Sequence, residues 1–593
     1  MGECSDEVGG VGVVLRVFVR SLIAALLFIA PLKFGSVVNT GAISLFPFGW
    51  LEWVIAVWPP FLAPVLCGIA LLGATVVYPP PAQLRRHWLV PAVWLVLFGV
   101  CVLGLLRTTE WDYALLFLWH LLGVFCLAAS VAWVLPRDPC LRRWALTAVM
   151  TAVFLTLISG WYQVKGGGYA ETLEYIERTA EIQGGEIPAE IRDRLMQGRA
   201  SASFIYPNSF AAHLILTGPL FLVCLWQIGG RFTPSGLSRA LFLFVGGGLF
   251  AGGLIVSGSR AAVAGLGGGV VIAVMCYPGL KRWRLPLATL GFVCAVALFA
   301  FVSRGRTLSS LEARMDYYRT GVEMAVRHPV AGVGLGEFFP YYLRLKPLAA
   351  EETRAPHNVA VFFVSQTGVW GVIGAVVLLA LPIGFVSFVR PRDRLGGANS
   401  LWLTAAQCGL AAWSLHALLD FNIQIPGTVM TVAIIPLICV PPEQRKEKSG
   451  QLWVRLVFTG IAVVSIGALW RWSGERAYGV LTRQAAKPFV NIVRLREQSE
   501  KARARLPFSP HPDALFAKAA AARGYHAMAA EAYAGALHRT PHRGGWWYAL
   551  AEQRLLCGDV AAARAAMKKA IYWDPGNSVR DPLEARIRRV GVQ

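Results

Sequence analysis

Long apolar runs recur through most of this chain and limit the folds that it can adopt. About thirteen such runs, each close to the ~20 residues that a helix needs to cross a bilayer, lie between residues 17 and 471. A soluble core uses shorter apolar segments, so the chain is predicted to be an all-α, polytopic transmembrane helical bundle of about 12–13 spans. The predicted spans are roughly 17–34, 59–78, 88–106, 113–135, 144–162, 209–229, 240–257, 260–278, 285–303, 368–390, 401–420, 425–441 and 453–471.

The distribution of charge predicts how this bundle is oriented. The chain carries 56 Lys and Arg against 34 Asp and Glu, a formal net charge of +22. Outside the C-terminal region the basic residues cluster in short segments between apolar runs, as they do in cytoplasmic loops, and we therefore expect no nucleic-acid partner. Placing the N-terminus in the cytoplasm puts all of these clusters on one side. The loops 163–208 and 304–356 and the chain after Trp472 then lie on the outer side.

The chain divides into a membrane domain, 1–472, and a C-terminal tail, 473–593. The tail has an internal period of 34 residues, which is typical of tetratricopeptide helix pairs and predicts repeats at about 507–541 and 542–576. The residues that recur at this period are Gly524 and Gly558, Ala536 and Ala570, and Pro541 and Pro575. A helical stack of this kind presents a concave surface, so a protein partner is expected, with a folded cap that has no partner as the alternative.

The loop 163–208 carries glutamates at spacings that place them on one side of a helix, namely Glu171, Glu174, Glu177 and Glu181. A solvated acidic face accounts for this spacing better than a metal site does. The chain also has no Asp-x-Asp sequence that would hold a metal ion on a diphosphate. We therefore expect no metal and no cofactor.

His357 is the strongest candidate for a catalytic residue. It follows Pro356, which blocks helix continuation from upstream, and precedes Asn358, so it lies at or just before the start of a helix. The helix dipole there disfavours protonation, which leaves the imidazole available as a base. The alternative is a hydrogen-bonded histidine with a structural role.

Two arginines on the predicted outer side are candidates for anion binding. Arg260 follows Ser259 at the outer end of one span and begins the next span, and Arg314 lies in the large outer loop. A guanidinium binds a phosphate through two parallel hydrogen bonds, which suits a lipid-linked diphosphate at the bilayer surface. The alternatives are that Arg260 anchors its span at the interface and that Arg314 pairs with Glu312 or Asp316.

Three further polar residues lie where spans meet the predicted outer side. Asn208 follows Pro207 at the start of a span and is expected to cap that helix. His416 and Asp420 are one helical turn apart at the end of another span. Two interpretations of these residues remain open, an intrahelical pair and a group that orients the substrate.

Several of these residues belong to a pattern that resembles a known signature. His357-Asn358, nine further residues and then Gly368-Val-Trp-Gly371 resemble the signature of the bacterial O-antigen ligase and O-antigen polymerase superfamily. The segments that are similar to other recurrent stretches of that superfamily are Ser259-Arg260-Ala261, Pro207-Asn208 and 328–336.

The resemblance implies a metal-independent glycosyltransferase of the polytopic GT-C type. It implies that a glycan moves from an undecaprenyl diphosphate carrier to a hydroxyl acceptor at the periplasmic face of the bacterial inner membrane, as in O-antigen or exopolysaccharide polymerases and ligases. By the same resemblance, His357 is the base on the acceptor, and Arg260 and Arg314 hold the donor diphosphate. The supporting residues are then Ser259, Asn208, Asn358, His416 and Asp420.

The acceptor stays open at this point. Another lipid-linked glycan, a lipid A core and a protein hydroxyl, as in protein O-oligosaccharyltransferases, are the three candidates. The alternative from another class is a lipid or polysaccharide transporter, which predicts ionisable residues at mid-membrane and repeated spans; the sequence shows neither. A third alternative is a scaffold whose membrane part is inert.

Membrane lipids are expected to surround the bundle, and the tail is expected to affect the partner, chain length or efficiency more than the chemistry.

Overall fold

The structure is a computed structural model. It describes residues 10–38, 46–81, 83, 85–167, 174, 198–232, 236–277, 282–303, 309–388, 397–440, 450–487 and 489–590. Within these ranges the chain forms helices and turns and no strand, apart from an isolated bridge between Gly35 and Phe204. The predicted all-α class is therefore confirmed. The predicted acidic face lies outside the described residues, with the exception of Glu174.

Each predicted apolar run coincides with a helix. Within the described ranges, 8 helices are long and apolar enough to cross a membrane, and shorter apolar helices lie at 62–77, 260–276, 370–384 and 426–439. The chain is thus a multi-pass membrane protein. In chain order the helices up to residue 466 are α1 (Gly10–Lys33), α2 (Trp50–Ile55), α3 (Leu62–Val77), α4 (Leu89–Gly104), α5 (Trp111–Val134), α6 (Cys140–Lys165), α7 (Pro207–Phe232), α8 (Gly236–Ser257), α9 (Arg260–Cys276), α10 (Arg284–Ser303), α11 (Ser309–Arg327), α12 (Phe338–Leu345), α13 (Val359–Thr367), α14 (Trp370–Phe388), α15 (Gly397–Ala417), α16 (Pro426–Cys439) and α17 (Leu452–Ile466).

Helices α5 and α16 form the centre of this bundle. Nearly every residue of α5 and every residue of α16 is buried, whereas α10 exposes most of its side chains. A helix that is apolar on all sides and buried on all sides is surrounded by other helices. The exposed apolar side chains of α10 belong at the periphery, where they contact lipid.

Helices α9 and α15 are in close backbone contact, and this contact places one end of α9. A Cβ atom on Gly265 would lie 2.8 Å from the carbonyl oxygen of Ala412, and one on Gly269 would lie 2.5 Å from that of Cys408. Small residues four positions apart allow this approach between membrane helices. The order of the contacts makes the helices antiparallel, so the N-terminal end of α9 lies beside the C-terminal end of α15.

The tail continues directly from the last apolar helix, because a 3-10 turn at Gly467–Trp470 joins α17 to α18. The tail helices are α18 (Arg471–Ala485), α19 (Ile492–Arg505), α20 (His511–Ala521), α21 (His526–Arg539), α22 (Gly544–Leu556), α23 (Val560–Trp573) and α24 (Arg580–Val590). The pairs α20–α21 and α22–α23 occupy the two predicted repeats, and their turns contain Gly524 with φ +80° and Gly558 with φ +81°. Their assignment as tetratricopeptide repeats stays a prediction.

A buried ion pair and a neighbouring contact between a histidine and a glutamate join the tail to one end of the bundle, which we name the tail side. Arg543 donates from Nε to Oε1 of Glu110 at 2.5 Å and from Nη2 to Oε2 at 3.0 Å. Nδ1 of His542 lies 2.7 Å from Oε2 of Glu337. Glu110 precedes α5, and Glu337 lies between α11 and α12. The tail is therefore packed against the loop that leads to His357.

Candidate active site

His357 has an unusual backbone conformation at the start of α13. Its φ angle is +49°, in the left-handed region that residues other than glycine seldom adopt. Asn358 caps the helix, since its side-chain oxygen accepts hydrogen bonds from the N–H groups of Ala360 at 2.8 Å and Val361 at 3.1 Å. His357 thus lies immediately before a helix, as its sequence neighbours indicate. A left-handed histidine costs about 1–3 kcal/mol and persists only where its surroundings hold it, which is typical of functional sites.

Three side chains surround the His357 ring. Tyr317 stacks on it with ring centres 5.7 Å apart, and Phe421 packs edge-on with ring centres 4.7 Å apart. Nδ1 of His357 lies 3.3 Å from Oδ1 of Asp420, within ion-pair range although the ring is not aligned for a full hydrogen bond. The His357 side chain is 27% exposed and the Asp420 side chain is 2% exposed. One edge of the imidazole therefore faces a buried carboxylate, and part of the ring stays open.

The Asp420 carboxylate is favoured in its charged form. Burial alone raises the pKa of this group, but the adjacent His357, His416 and the backbone N–H of Phe421 bring the pKa below its ordinary value. That N–H donates to Oδ1 of Asp420 at 2.8 Å. An ionised carboxylate beside a histidine orients the ring and stabilises its protonated form.

His416 and Asp420 belong to different contacts. Helix α15 ends at Ala417, so Asp420 lies in the turn after the helix and faces His357. Nδ1 of His416 lies 2.7 Å from Nδ2 of Asn422. The structure does not support an intrahelical pair, because the helix stops before it reaches the aspartate. The fold instead places Asp420 beside the candidate base, His357. It places His416 against Asn422, where the histidine stabilises the turn that follows α15.

Arg314 lies on the face of α11 that contacts His357. Tyr317 and Tyr318 follow it by one turn, and the Tyr318 hydroxyl donates to the backbone carbonyl of His357 at 3.3 Å. Burial raises the pKa of Tyr318, and the positive charge of Arg314 acts against this rise. Among the described residues, the half-exposed Arg314 forms no ion pair with the acidic residues of its own helix. Within the described part of α11, therefore, no acidic partner competes with an anionic ligand for the Arg314 guanidinium.

Arg260 lies at the tail-side end of α9. Ser259 caps the helix by accepting a hydrogen bond from an N–H of its first turn at 3.3 Å. The antiparallel contact with α15 places Gly265 beside His416. Arg260 is about 7.5 Å further along the helix axis, towards the end of the bundle at which α15 ends. The first candidate arginine and the histidine–carboxylate pair therefore lie at the same end of neighbouring helices.

Asn208 does not act as the predicted cap. Helix α7 begins at Pro207, so Asn208 lies inside the first turn, where its Oδ1 accepts from Nη2 of Arg199 at 2.9 Å. Nε of Arg199 donates to the carbonyl oxygen of Ser257 at 2.8 Å. Asn208 and Arg199 therefore tie the loop before α7 to the turn that precedes Arg260. Sequence reasoning missed the contribution of Arg199, because no local pattern predicts its hydrogen bonds to Asn208 and Ser257.

Sequence reasoning also missed the aromatic residues around His357. A signal for two of them was present, since Tyr317 and Tyr318 follow the candidate arginine of α11 at a spacing of one helical turn, which predicts a shared face. Phe421 adjoins Asp420 in the sequence, but no local pattern places its ring against an imidazole from another helix. That contact follows from the tertiary fold.

Gly368 fixes the turn between α13 and α14. Its φ is +65°, and a Cβ atom there would press on the carbonyl of Pro329 and lie 2.7 Å from that of Val330. We expect Gly368→Ala to lower the free energy of unfolding by about 1–3 kcal/mol, because the alanine strains the backbone and meets these carbonyls. Gly384→Ala is the matched control, since nothing lies within 4 Å of its Cβ position. Thermal unfolding in detergent measures both; equal melting temperatures would contradict the turn described here.

Comparison with known proteins identifies the central part of the chain. Residues 242–376 match the family model described as O-antigen ligase. The chain carries an O-antigen ligase domain. The predicted resemblance is thereby confirmed for this segment, and the chain is a multi-pass membrane protein that contains an O-antigen ligase domain. No curated protein sequence matches the chain.

The O-antigen ligase domain holds only part of the candidate site. The candidate residues inside the matched segment are Ser259, Arg260, Arg314, His357 and Asn358. The candidate residues beyond it are Asn208, His416 and Asp420. Because His357 of the domain faces Asp420 beyond it, the site that the fold assembles is larger than the segment that matches the family.

Proposed function

We propose that this chain transfers a glycan from undecaprenyl diphosphate to a hydroxyl acceptor, as an inner-membrane O-antigen or exopolysaccharide ligase or polymerase. The observation that carries the proposal is His357, which is open on one edge and backed by the buried Asp420 carboxylate, at the end of a membrane bundle that contains an O-antigen ligase domain. A base beside cationic groups at a bilayer surface suits transfer from a lipid-linked diphosphate.

In this proposal His357 is the general base. Its Nδ1 faces Asp420, which leaves Nε2 for the acceptor hydroxyl. The acceptor oxygen forms a bond to the anomeric carbon while its proton moves to Nε2. The bond between that carbon and the diphosphate oxygen breaks, and the electron pair leaves on the diphosphate. The Asp420 carboxylate stabilises the imidazolium, and the products are the glycosylated acceptor and undecaprenyl diphosphate.

Arg260 and Arg314 are proposed to bind the donor diphosphate. Guanidinium groups held at the bilayer surface stabilise the negative charge that develops on the leaving group. This assignment is supported by the position of Arg260 at the tail-side end of α9, beside the end of α15, and by the position of Arg314 on the face of α11 that contacts His357. The residues proposed to hold the surrounding turns are Ser259, Asn208, Asn358 and His416.

We propose that the tail side is periplasmic and that the N-terminus is cytoplasmic. The basic clusters between spans at the opposite end fit cytoplasmic loops. A glycan or lipid A core is the proposed acceptor, with a protein hydroxyl as the alternative. A protein partner of the tail belongs to the same proposal and rests on the predicted helical repeats.

Purified protein in lipid nanodiscs tests the proposed reaction. The assay contains an undecaprenyl-diphosphate-linked glycan and a hydroxyl acceptor, and chromatography measures glycosylated acceptor and free undecaprenyl diphosphate. The two products are expected in equal amounts. A chain that consumes no donor, or that only moves the lipid-linked glycan across the bilayer, is not the proposed transferase.

The donor site predicts that lysine cannot replace either arginine. We expect Arg260→Lys and Arg314→Lys each to lower transfer by about 10- to 100-fold, because a point charge loses the two parallel hydrogen bonds to phosphate. Initial rates at saturating acceptor and varied donor measure the effect. Arg319→Lys is the matched control, since Arg319 is exposed on the same helix as Arg314. Full activity of Arg260→Lys would show that this residue only anchors its span.

A further inference from the structure

The tail contributes side chains to a surface that leads to His357. We name this surface the seam and define it by five residues: Tyr206, Phe339, Arg354, Arg543 and Trp546. Each of them is partly or largely accessible at the junction of the tail and the bundle. The seam is not used by the donor site proposed above.

Two guanidinium groups of the seam share one aromatic ring. The guanidinium carbon of Arg354 lies 5.9 Å from the ring centre of Phe339, and that of Arg543 lies 5.5 Å from the same centre. Arg543 also lies 5.7 Å from the ring centre of Trp546. The loop before His357 and the tail therefore meet in a cluster of cations and aromatic rings.

The two arginines differ in how their charge is balanced. Arg543 is neutralised by its paired hydrogen bonds to Glu110. Arg354 is within electrostatic range of Glu110 and Glu352, but among the described residues it forms no ion pair or hydrogen bond with either. An exposed guanidinium that forms no ion pair with its neighbouring carboxylates has donors available for the carboxylate or phosphate of a ligand.

The seam is continuous with the candidate base. Arg354 is three positions before His357 in the chain and is within electrostatic range of Tyr206. The Tyr206 ring lies 5.4 Å from that of Phe421, which packs 4.7 Å from the His357 ring. A ligand that rests on the seam therefore approaches the imidazole from the tail. Arg314 has different neighbours, Tyr318 and His416, so the two cationic groups reach different parts of the site.

We propose that the seam is an acceptor subsite for an anionic glycan. A carboxylate or phosphate of the glycan binds Arg354, and its sugar rings pack on the half-exposed rings of Phe339 and Trp546. This inference rests on the proposed transferase function and adds the chemical class of the acceptor. A glycan fits the observations better than a protein, because partly exposed aromatic rings close to the Arg354 guanidinium match the faces and the charge of an acidic sugar.

Matched acceptors test the subsite in the full-length protein. The probes are a disaccharide that contains glucuronic acid, its neutral glucose counterpart and a phosphorylated counterpart, each with the same reactive hydroxyl. Arg354 is expected to recognise the glucuronic acid probe or the phosphorylated probe. For the probe that it recognises, we expect the wild type to have a KM about 10- to 100-fold lower than for the neutral glucose probe. Arg354→Gln should remove this difference through KM, with kcat and the KM of the donor unchanged. Arg354→Lys should retain part of the KM difference between the acidic and neutral probes, and the control Arg319→Gln should retain all of that difference.

The outcomes separate the subsite from the reaction. Transfer by the wild type with no preference between acidic and neutral probes, or equal losses on all probes in Arg354→Gln, would overturn the subsite and leave the reaction standing. Transfer to a serine-containing peptide in preference to every glycan probe would also overturn it. If no probe is glycosylated and no donor is consumed, the proposed reaction itself fails. The preference should also weaken with rising salt, because it depends on an exposed charge.

Discussion

Replacing His357 with alanine is expected to abolish measurable glycan transfer while the protein stays folded and still binds its lipid-linked donor. General-base catalysis contributes about 10²- to 10⁴-fold to the rate of a reaction that needs a proton removed. Among the described residues, no histidine outside α15 other than His357 lies next to Asp420 and could replace it. Rates in nanodiscs measure the loss, and donor binding is measured separately. His538→Ala is the control, since His538 is exposed on a tail helix.

A companion variant distinguishes a catalytic histidine from a structural one. Asp420→Asn removes the buried charge next to His357 and should lower kcat by less than His357→Ala does, because the base remains but its protonated form is less stabilised. A His357→Ala protein that still transfers glycan at the wild-type rate would remove the imidazole from the mechanism. It would favour the alternative in which the membrane part is an inert scaffold.

Replacing Arg543 with alanine is expected to lower the free energy of unfolding by about 3–5 kcal/mol, because it leaves a buried carboxylate without its partner. Glu110 is 3% exposed, and Glu337 beside it is 0% exposed. Thermal unfolding and limited proteolysis of the tail measure the loss. Arg588→Ala is the matched control, because Arg588 forms an exposed pair within its own helix with Glu584 and should change stability by less than about 1 kcal/mol.

The same variant should acquire an unusual dependence on pH. Burial raises the pKa of Glu110 above its ordinary value, and Arg543 opposes this rise. Without the arginine, the folded state holds the Glu110 proton to a higher pH than the unfolded state does, so the free energy of unfolding should fall as pH rises above the ordinary pKa of a glutamate. The double variant Arg543→Ala and Glu110→Gln should recover most of the stability. A stable Arg543→Ala protein with no such pH dependence would contradict the buried pair.

Glu337 connects the tail to the segment that carries His357, so the tail affects the candidate site as well as the stability of the fold. Its Oε1 accepts hydrogen bonds from the N–H and hydroxyl of Thr109 at 2.6 Å and from the N–H of Glu110 at 3.0 Å, while Oε2 faces His542. The segment just before Glu337 pairs with the end of α13, the helix that His357 precedes, through Val333 and Gly334. Loss of the tail is therefore expected to disturb the His357 segment in addition to its expected effects on the partner, chain length or efficiency.

The sequence predicts the bundle well because hydropathy is a local property. Each apolar run becomes a helix, and the Pro-His-Asn sequence places His357 at a helix start because Pro356 and Asn358 act on their immediate neighbours. The same local reasoning fails for Asp420. Its spacing from His416 suggests one helix, but the helix ends first, and its contact with His357 joins residues that are distant in the chain.

The junction with the tail is beyond sequence reasoning for a related cause. Glu110 and Arg543 look like ordinary solvated charges in loops, and only the packing of the tail removes them from water. Arg354 looks like one more basic residue in a polar segment. That it forms no ion pair with a described carboxylate can be recognised only when the surrounding glutamates have been placed.

The ion pair between Glu110 and Arg543 and the side-chain contact between Glu337 and His542 also restrict membrane topology. A lipid bilayer cannot separate groups that are in contact, so the last helices of the chain and the His357 loop must share one compartment. A single reporter enzyme attached to the tail, active only after export, will therefore reveal on which side of the membrane the His357 imidazole lies. Mapping every span is unnecessary for that purpose.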